Sequence, residues 1–272
     1  MRRLKIFFFW LFKSRNRIST MQMLAFLFKP TVAQIAKNYL STIKYDEDKN
    51  FAQVHVSGVE KPLYWPTIFP IDRINQVVAE TFDKSDWHYY QKKGTEISEN
   101  EVLLDVGTAE GLFALSVSQL CKEMILVEPS KSFCEALNKT FENCTTKVRI
   151  VHAAVGDYNG KVNFAQSSLD GSLYDENTGG EEVDLLTIDA IVGDTTITYL
   201  KADVEGFEQQ LINGATQTIK RCKPKIAITS YHPQNNAQEM ITAINQMVPE
   251  YKFYTSGIFQ EGGKPVMIHG YI

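Results

Sequence analysis

The sequence predicts an α/β fold. It reads as a mainly parallel seven-stranded sheet with helices on both faces, an antiparallel strand pair near the C-terminus and a helical extension at the N-terminus. Three observations carry this reading. From Glu101 onward short apolar runs alternate with segments of helical period, as expected of strands joined by helical crossovers. Val102-Leu-Leu-Asp-Val106 is a buried-strand run that breaks at Gly107 and resumes after Gly111 as an apolar helix, the opening of a βαβ unit. The first 45 residues stand apart, with nine Lys/Arg and no acid, whereas the remainder holds 19 Lys/Arg against all 32 acidic residues.

Taken in order, Ile6 to Phe12 is an apolar run bracketed by Arg2, Arg3 and Lys5 and by Lys13, Arg15 and Arg17. No small-residue cleavage site follows it, and it is far short of the ~20 residues that span a bilayer. Two readings stand for residues 1–20: a basic aromatic helix lying on an anionic membrane surface, or a helix packed on the body with its cations solvated. Leu24 to Phe28, then Val32, Ile35, Ala36 and Leu40, keep helical spacing, and Pro30 divides two helices. Phe51 to Val56 alternates as a strand. Leu63 to Pro70 reads as an aromatic loop with two prolines and Ile71 to Phe82 as a helix. The Trp87-His-Tyr-Tyr90 cluster reads as core, with the lining of an acceptor site as the alternative. The expected strands are then Val102–Val106, Met124–Val127, Val148–Ala153, Thr198–Val204 and Lys225–Ser230, with Tyr251–Thr255 and Val266–Tyr271 as the closing pair. Helices are expected over Leu112–Lys122, after Ser130 as N-cap, and over about 207–221 and 237–248. Lys161–Ala165 reads as an extra hairpin strand, Gln166–Glu182 as a mobile loop over the site, and Val183–Ile191 as a strand or linker.

A chain of 272 residues buries a full core. The acidic body argues against a nucleic-acid surface. The four cysteines show no metal-type spacing, which fits free thiols in a reducing cytosol.

In an open α/β sheet, ligands bind beyond the carboxyl ends of the strands. Those ends carry Asp105, Glu128, Asp203 with Glu205, and His232. Glycine at 107 permits a sharp turn and a close approach of backbone to ligand, and Glu128, ending the second strand, can accept both hydroxyls of a ribose. A glycine turn with an acid on the next strand leaves a nicotinamide oxidoreductase or a methyltransferase using S-adenosylmethionine (SAM). Gly107 and Gly111 lack the third glycine of the dinucleotide fingerprint, which favours the second.

Leu104-Asp-Val-Gly-Thr-Ala-Glu-Gly111, Val127-Glu-Pro129, Ala154-Val-Gly-Asp157, Thr187-Ile-Asp189, Tyr199-Leu-Lys-Ala-Asp-Val-Glu-Gly-Phe-Glu208, Asn213-Gly-Ala215 and Pro224-Lys-Ile226 together resemble the FkbM-type SAM-dependent methyltransferases. The Lys201 to Glu208 segment is the most specific of these. Glu110 departs from the Asn that many members carry in this turn. The resemblance covers about residues 85–272, implying a Rossmann-like SAM-dependent methyltransferase domain there, with residues 1–84 as a basic, aromatic extension. It implies SAM contacts at Asp105, Gly107, Thr108, Glu110, Gly111, Glu128, Pro129, Ala154 and Asp203. It also implies methyl transfer to a hydroxyl of a sugar, glycan or lipid-linked sugar. A hydroxyl needs a base or a metal. Asp203, Glu205 and His232 are the candidates for catalysis, and the same three could instead hold a divalent cation. The expected location is cytoplasmic, at the inner face of the membrane if the basic arm binds it. A SAM-binding module without turnover is the remaining alternative.

Overall fold

The computed structural model describes residues 2–165, 180–259 and 263–272. Three short helices open the chain, α1 (Arg2–Phe12), α2 (Thr20–Phe28) and α3 (Val32–Ala36). Ser19 with Gln22 and Thr31 with Gln34 form capping boxes at the starts of α2 and α3, satisfying N–H groups that helix starts leave open. A three-stranded antiparallel sheet follows, β1 (Leu40–Tyr45), β2 (Phe51–Val56) and β3 (Leu63–Pro66), then α4 (Ile74–Phe82). Two expectations are corrected here. Helical structure stops at Ala36, and Leu40 pairs with Val56 as a strand; the expected loop begins as a strand, with Leu63 opposite Val54 and Pro66 opposite Phe51. Cross-strand partners stabilise these segments, and such partners are invisible to local periodicity.

The first half of the main sheet comprises β4 (Glu101–Val106), α5 (Leu112–Val117), β5 (Cys121–Glu128), α6 (Lys131–Thr140) and β6 (Lys147–His152). Ser130 caps α6 by accepting from the Phe133 N–H at 3.3 Å. The helix expected to reach Lys122 ends earlier, so Cys121 opens a strand instead. A second small sheet intervenes, β7 (Ala154–Val155), β8 (Gly160–Phe164) and β9 (Glu181–Leu186), in the order β7-β9-β8, followed by α7 (Ile188–Val192). The loop expected over Gln166–Glu182 lies outside the described residues as far as 179. The remainder is β10 (Tyr199–Ala202), α8 (Glu208–Asn213), α9 (Thr216–Cys222), β11 (Lys225–Thr229), α10 (Ala237–Met247), β12 (Lys252–Ser256) and β13 (Met267–Tyr271).

The main sheet has the order β12-β13-β11-β10-β4-β5-β6. β6, β5, β4, β10 and β11 run parallel, whereas β13 and β12 are antiparallel. The chain steps outward from β4 to β6, then returns to the other side of β4 as β10. The switch point between β4 and β10 opens a crevice at their carboxyl ends. The pleat sends alternate residues of β4 to opposite faces. Leu103 joins a core with Leu112, Phe133 and the extension residues Val54, Leu63 and Trp65, and the Phe69 ring stacks on Phe133 at 4.7 Å. Leu104 and Val106 join Ile188, Leu211, Ile228 and Ile244 on the other face. α1 and α2 dock through a smaller cluster of Ile6, Trp10, Ile18 and Met23 against Ile258. All four cysteines are free.

Candidate active site

The turn after β4 is shaped by packing as much as by any ligand. Gly107 has φ +67°, and a Cβ there would sit 1.8 Å from the Asp203 carbonyl oxygen. The glycine therefore brings the ends of β4 and β10 together. Its N–H and that of Thr108 donate to the Val127 carbonyl at 2.9 and 3.2 Å, which ties the turn to β5. Gly111, at φ +85°, would place a Cβ 2.5 Å from Leu137 of α6.

Beneath the turn, Asp105 is fully buried and pairs with Lys201 at 2.9 Å. Lys201 also donates to the Gly107 carbonyl at 2.7 Å. Burial pushes the Asp105 carboxyl up, against the opposing pull of Lys201. The pair braces the crevice from below. Thr108 donates to the Asp105 carbonyl at 2.7 Å, and the Glu110 carboxyl turns back to the Leu112 N–H at 3.2 Å. Asp105, Thr108, Glu110 and Gly111 thus support the turn and stay out of the cavity above it.

That cavity is lined by Gly107, Glu128, Pro129, Ala154 and Asp203, five of the expected SAM-contact positions. Phe133, Ala153, Val155, Phe164 and Phe207 add apolar walls that local motifs did not single out. Glu128 is buried at the end of β5, where its two oxygens accept from Ala109 N–H at 2.9 Å and Ser130 N–H at 2.8 Å. Burial pushes its carboxyl up to about 7, against these two hydrogen bonds. An acid with acceptor capacity left over, set in an apolar slot, fits a ribose and an adenine ring.

The β10–α8 loop carries the acidic group. Glu208 is fully buried and acts as a hub. Its carboxylate accepts from the N–H groups of Val204 and Gly206 at 3.2 and 3.0 Å and from the Thr229 hydroxyl at 2.8 Å, and also binds the Asn235 amide. This explains a signature residue for which the sequence suggested no role. His232 lies between two acids, with Nδ1 at 2.9 Å from Glu208 and Nε2 at 3.0 Å from Glu205. Burial opposes its charge, but the bonds to Glu205 and Glu208 overcome this and raise it to about 10. The two acids thus favour the protonated form of His232. Of the three residues expected to hold a cation, Asp203 and His232 lie close enough to share one, with Glu208 rather than Glu205 as the third group.

Asp203 is the hinge of the site. Although burial favours its neutral form, the neighbouring His88, His232 and Lys201 hold its carboxyl below the usual range. Its oxygens accept from the Tyr90 hydroxyl at 3.2 Å and share the Thr229 hydroxyl, at 3.0 Å, with Glu208. His88, read from sequence as structural, lies with Nε2 at 3.4 Å from Asp203 and Nδ1 at 3.4 Å from Glu80. Both ring nitrogens are buried against these two carboxylates. His88, Tyr231 and Glu205 line a second cavity of about 580 Å³, together with Arg2, Ile6 and Phe26 of α1 and α2. Glu205 lines both cavities. The only sequence signal for His88 was its place in an aromatic cluster.

Residues 105–254 match the Methyltransferase FkbM domain. The chain belongs to the FkbM methyltransferase family. The nicotinamide alternative falls away with that membership. The crystal structure of methyltransferase FkbM from Methylobacillus flagellatus KT is similar in fold, with a TM-score of 0.51 and 18% identity. That match covers 74% of this chain but only 56% of the Methylobacillus protein. Precorrin-6y C5,15-methyltransferase from Geobacter metallireducens GS-15 matches at 9% identity and TM-score 0.41, over 65% of this chain and 83% of that one. SMU.1697c from Streptococcus mutans, solved in complex with SAH, matches at 12% identity and TM-score 0.39, over 64% of this chain and 89% of that one. No curated protein matches the sequence.

Proposed function

We propose that the protein transfers the methyl group of SAM to a hydroxyl oxygen of a sugar, glycan or lipid-linked sugar. One observation carries this reading. A cavity with a ribose-type acid, Glu128, shares Glu205 with a second cavity; Asp203 lines the first, and His88, which lines the second, lies 3.4 Å from Asp203. Glu128 would hold the ribose, and Phe133, Val155 and Phe164 would flank the adenine. SAM supplies an electrophilic methyl on a positively charged sulfur. The carboxylates of Asp203 and Glu205 favour that charge.

The protein's share of the chemistry is alignment and proton removal. The acceptor hydroxyl would enter from the second cavity and donate to an imidazole nitrogen of His88. As the oxygen bonds to the methyl carbon, its proton passes to His88 and the carbon–sulfur pair stays on sulfur. Asp203 and Glu80 stabilise the imidazolium that forms. His232 has a positioning role in this scheme: it holds Glu205 and the loop. The Tyr231 ring, stacked on Phe259 at 4.6 Å, offers an aromatic face suited to a sugar.

The test is incubation with isotopically labelled SAM and fractionated cell extract, then mass spectrometry of labelled products. A label on a sugar hydroxyl supports the reading. A label on nitrogen or carbon would replace it, and SAM binding without any labelled product would favour a non-catalytic module.

A further inference from the structure

The outer sides of α1 and α2 are apolar and uncovered. On α1, Leu4, Phe8, Leu11 and Phe12 share one helical face and are all exposed, Phe12 at 72%. On α2, Met21, Leu24 and Phe28 do the same, with Met21 at 79% and Phe28 at 84%. The inner sides bury Ile6, Trp10 and Met23 against the body. A helix apolar on all sides is ordinarily buried on all sides, so these outer faces call for a partner.

The surrounding charge says which kind. Residues 2–45 hold no acid. Arg3 is engaged with the Leu27 and Pro30 carbonyls, and Lys29 with Asp83 and Asp86. Lys5, Lys13, Arg15 and Arg17 remain exposed around the apolar faces. No described helix is long and apolar enough to cross a membrane.

We propose that α1 and α2 seat the protein on an anionic lipid bilayer, with Phe8, Phe12, Met21 and Phe28 in the headgroup boundary and the exposed cations on lipid phosphates. Charge favours a bilayer over a second copy of the chain. A two-fold contact through this face would oppose two basic arms, whereas the acidic body is repelled by an anionic surface and turns the arm toward it. The inner sides of the same helices wall the second cavity through Arg2, Ile6 and Phe26. That the acceptor is collected at the membrane surface rests on the proposed reaction; the seat itself does not.

The test is co-sedimentation of the full-length protein with vesicles of phosphatidylcholine alone or mixed with phosphatidylglycerol, at low and high salt. Binding is expected to the anionic vesicles, weakened by salt. Phe12→Asp with Phe28→Asp changes two exposed side chains and is expected to cut partitioning by roughly tenfold or more. Lys5→Glu with Lys13→Glu is expected to cost at least roughly fivefold per cation. Thermal melts check that the variants stay folded. Calorimetry with SAM separates the two proposals: the seat fails if vesicle binding is absent or unchanged by the aspartates while SAM binding persists. A concentration-dependent dimer that the aspartates abolish, without vesicle binding, would assign the face to a second copy and overturn the seat.

Discussion

A buried carboxyl and two histidines set the chemistry at the residue scale. Glu128 sits at about 7 because burial outweighs two N–H donors. Only its ionised form can accept both hydroxyls of a ribose. SAM affinity is therefore expected to rise as pH rises through about 7, and calorimetry at several pH values checks this. Glu128→Gln should lose that dependence and bind SAM about 10–100-fold more weakly, the scale of hydrogen bonds to a charged group.

Both histidines lie between two acids, but the acids hold His232 at 2.9 and 3.0 Å and His88 only at 3.4 Å. His88→Gln is expected to lower kcat by about 100-fold or more, with SAM affinity unchanged. His232→Gln should affect turnover less and stability more. His232 is raised from 6.5 to about 10 in the folded state. Its stabilising contribution is thus complete below about 6.5 and lost as pH rises through about 10. Melting temperatures across that window should fall for the native protein and stay flatter for His232→Gln. Full activity of His88→Gln would remove it as the base.

At the scale of elements, the site depends on how closely β4 and β10 end. Gly107 has a left-handed backbone, and a side chain there would collide with the Asp203 carbonyl. Gly107→Ala is expected to destabilise the fold by about 2–4 kcal/mol, read from the denaturant midpoint. It should also weaken SAM binding by displacing Asp203. The β10–α8 loop is held in the same way from within. Glu208 gathers two backbone N–H groups, Thr229, Asn235 and His232. The expected strand ends Asp105, Glu128, Asp203 and His232 are all found at the carboxyl side of the sheet. Asp105, however, is spent on Lys201. A strand-end acid and a lysine two residues before Asp203 are both visible in the sequence; that they meet is a consequence of β4 lying beside β10.

The extension and the methyltransferase body share one core at the scale of the whole molecule. Trp65, Leu63 and Val54 pack with Leu103, Leu112 and Phe133, and the Tyr64 N–H donates to the Thr140 hydroxyl of α6 at 3.0 Å. Unfolding of β1–β3 would open the main core, so a single cooperative transition is expected. Tryptophan fluorescence and far-ultraviolet circular dichroism should give the same midpoint. An earlier fluorescence transition would show that the extension unfolds independently.

The sequence by itself determined the α/β class, the glycine turn, Glu128 at the second strand end and the family signature through Glu208. These are local: a period, a turn residue or a strand terminus is written in consecutive residues. Tertiary structure alone decided which groups meet. It placed His232 between two acids, and brought His88 to Asp203 across 115 positions of chain. It also turned Leu40 from helix and Leu63–Pro66 from loop into strands by supplying cross-strand partners. A titratable group's role depends on the charges within a few ångströms of it, and that neighbourhood is set by folding.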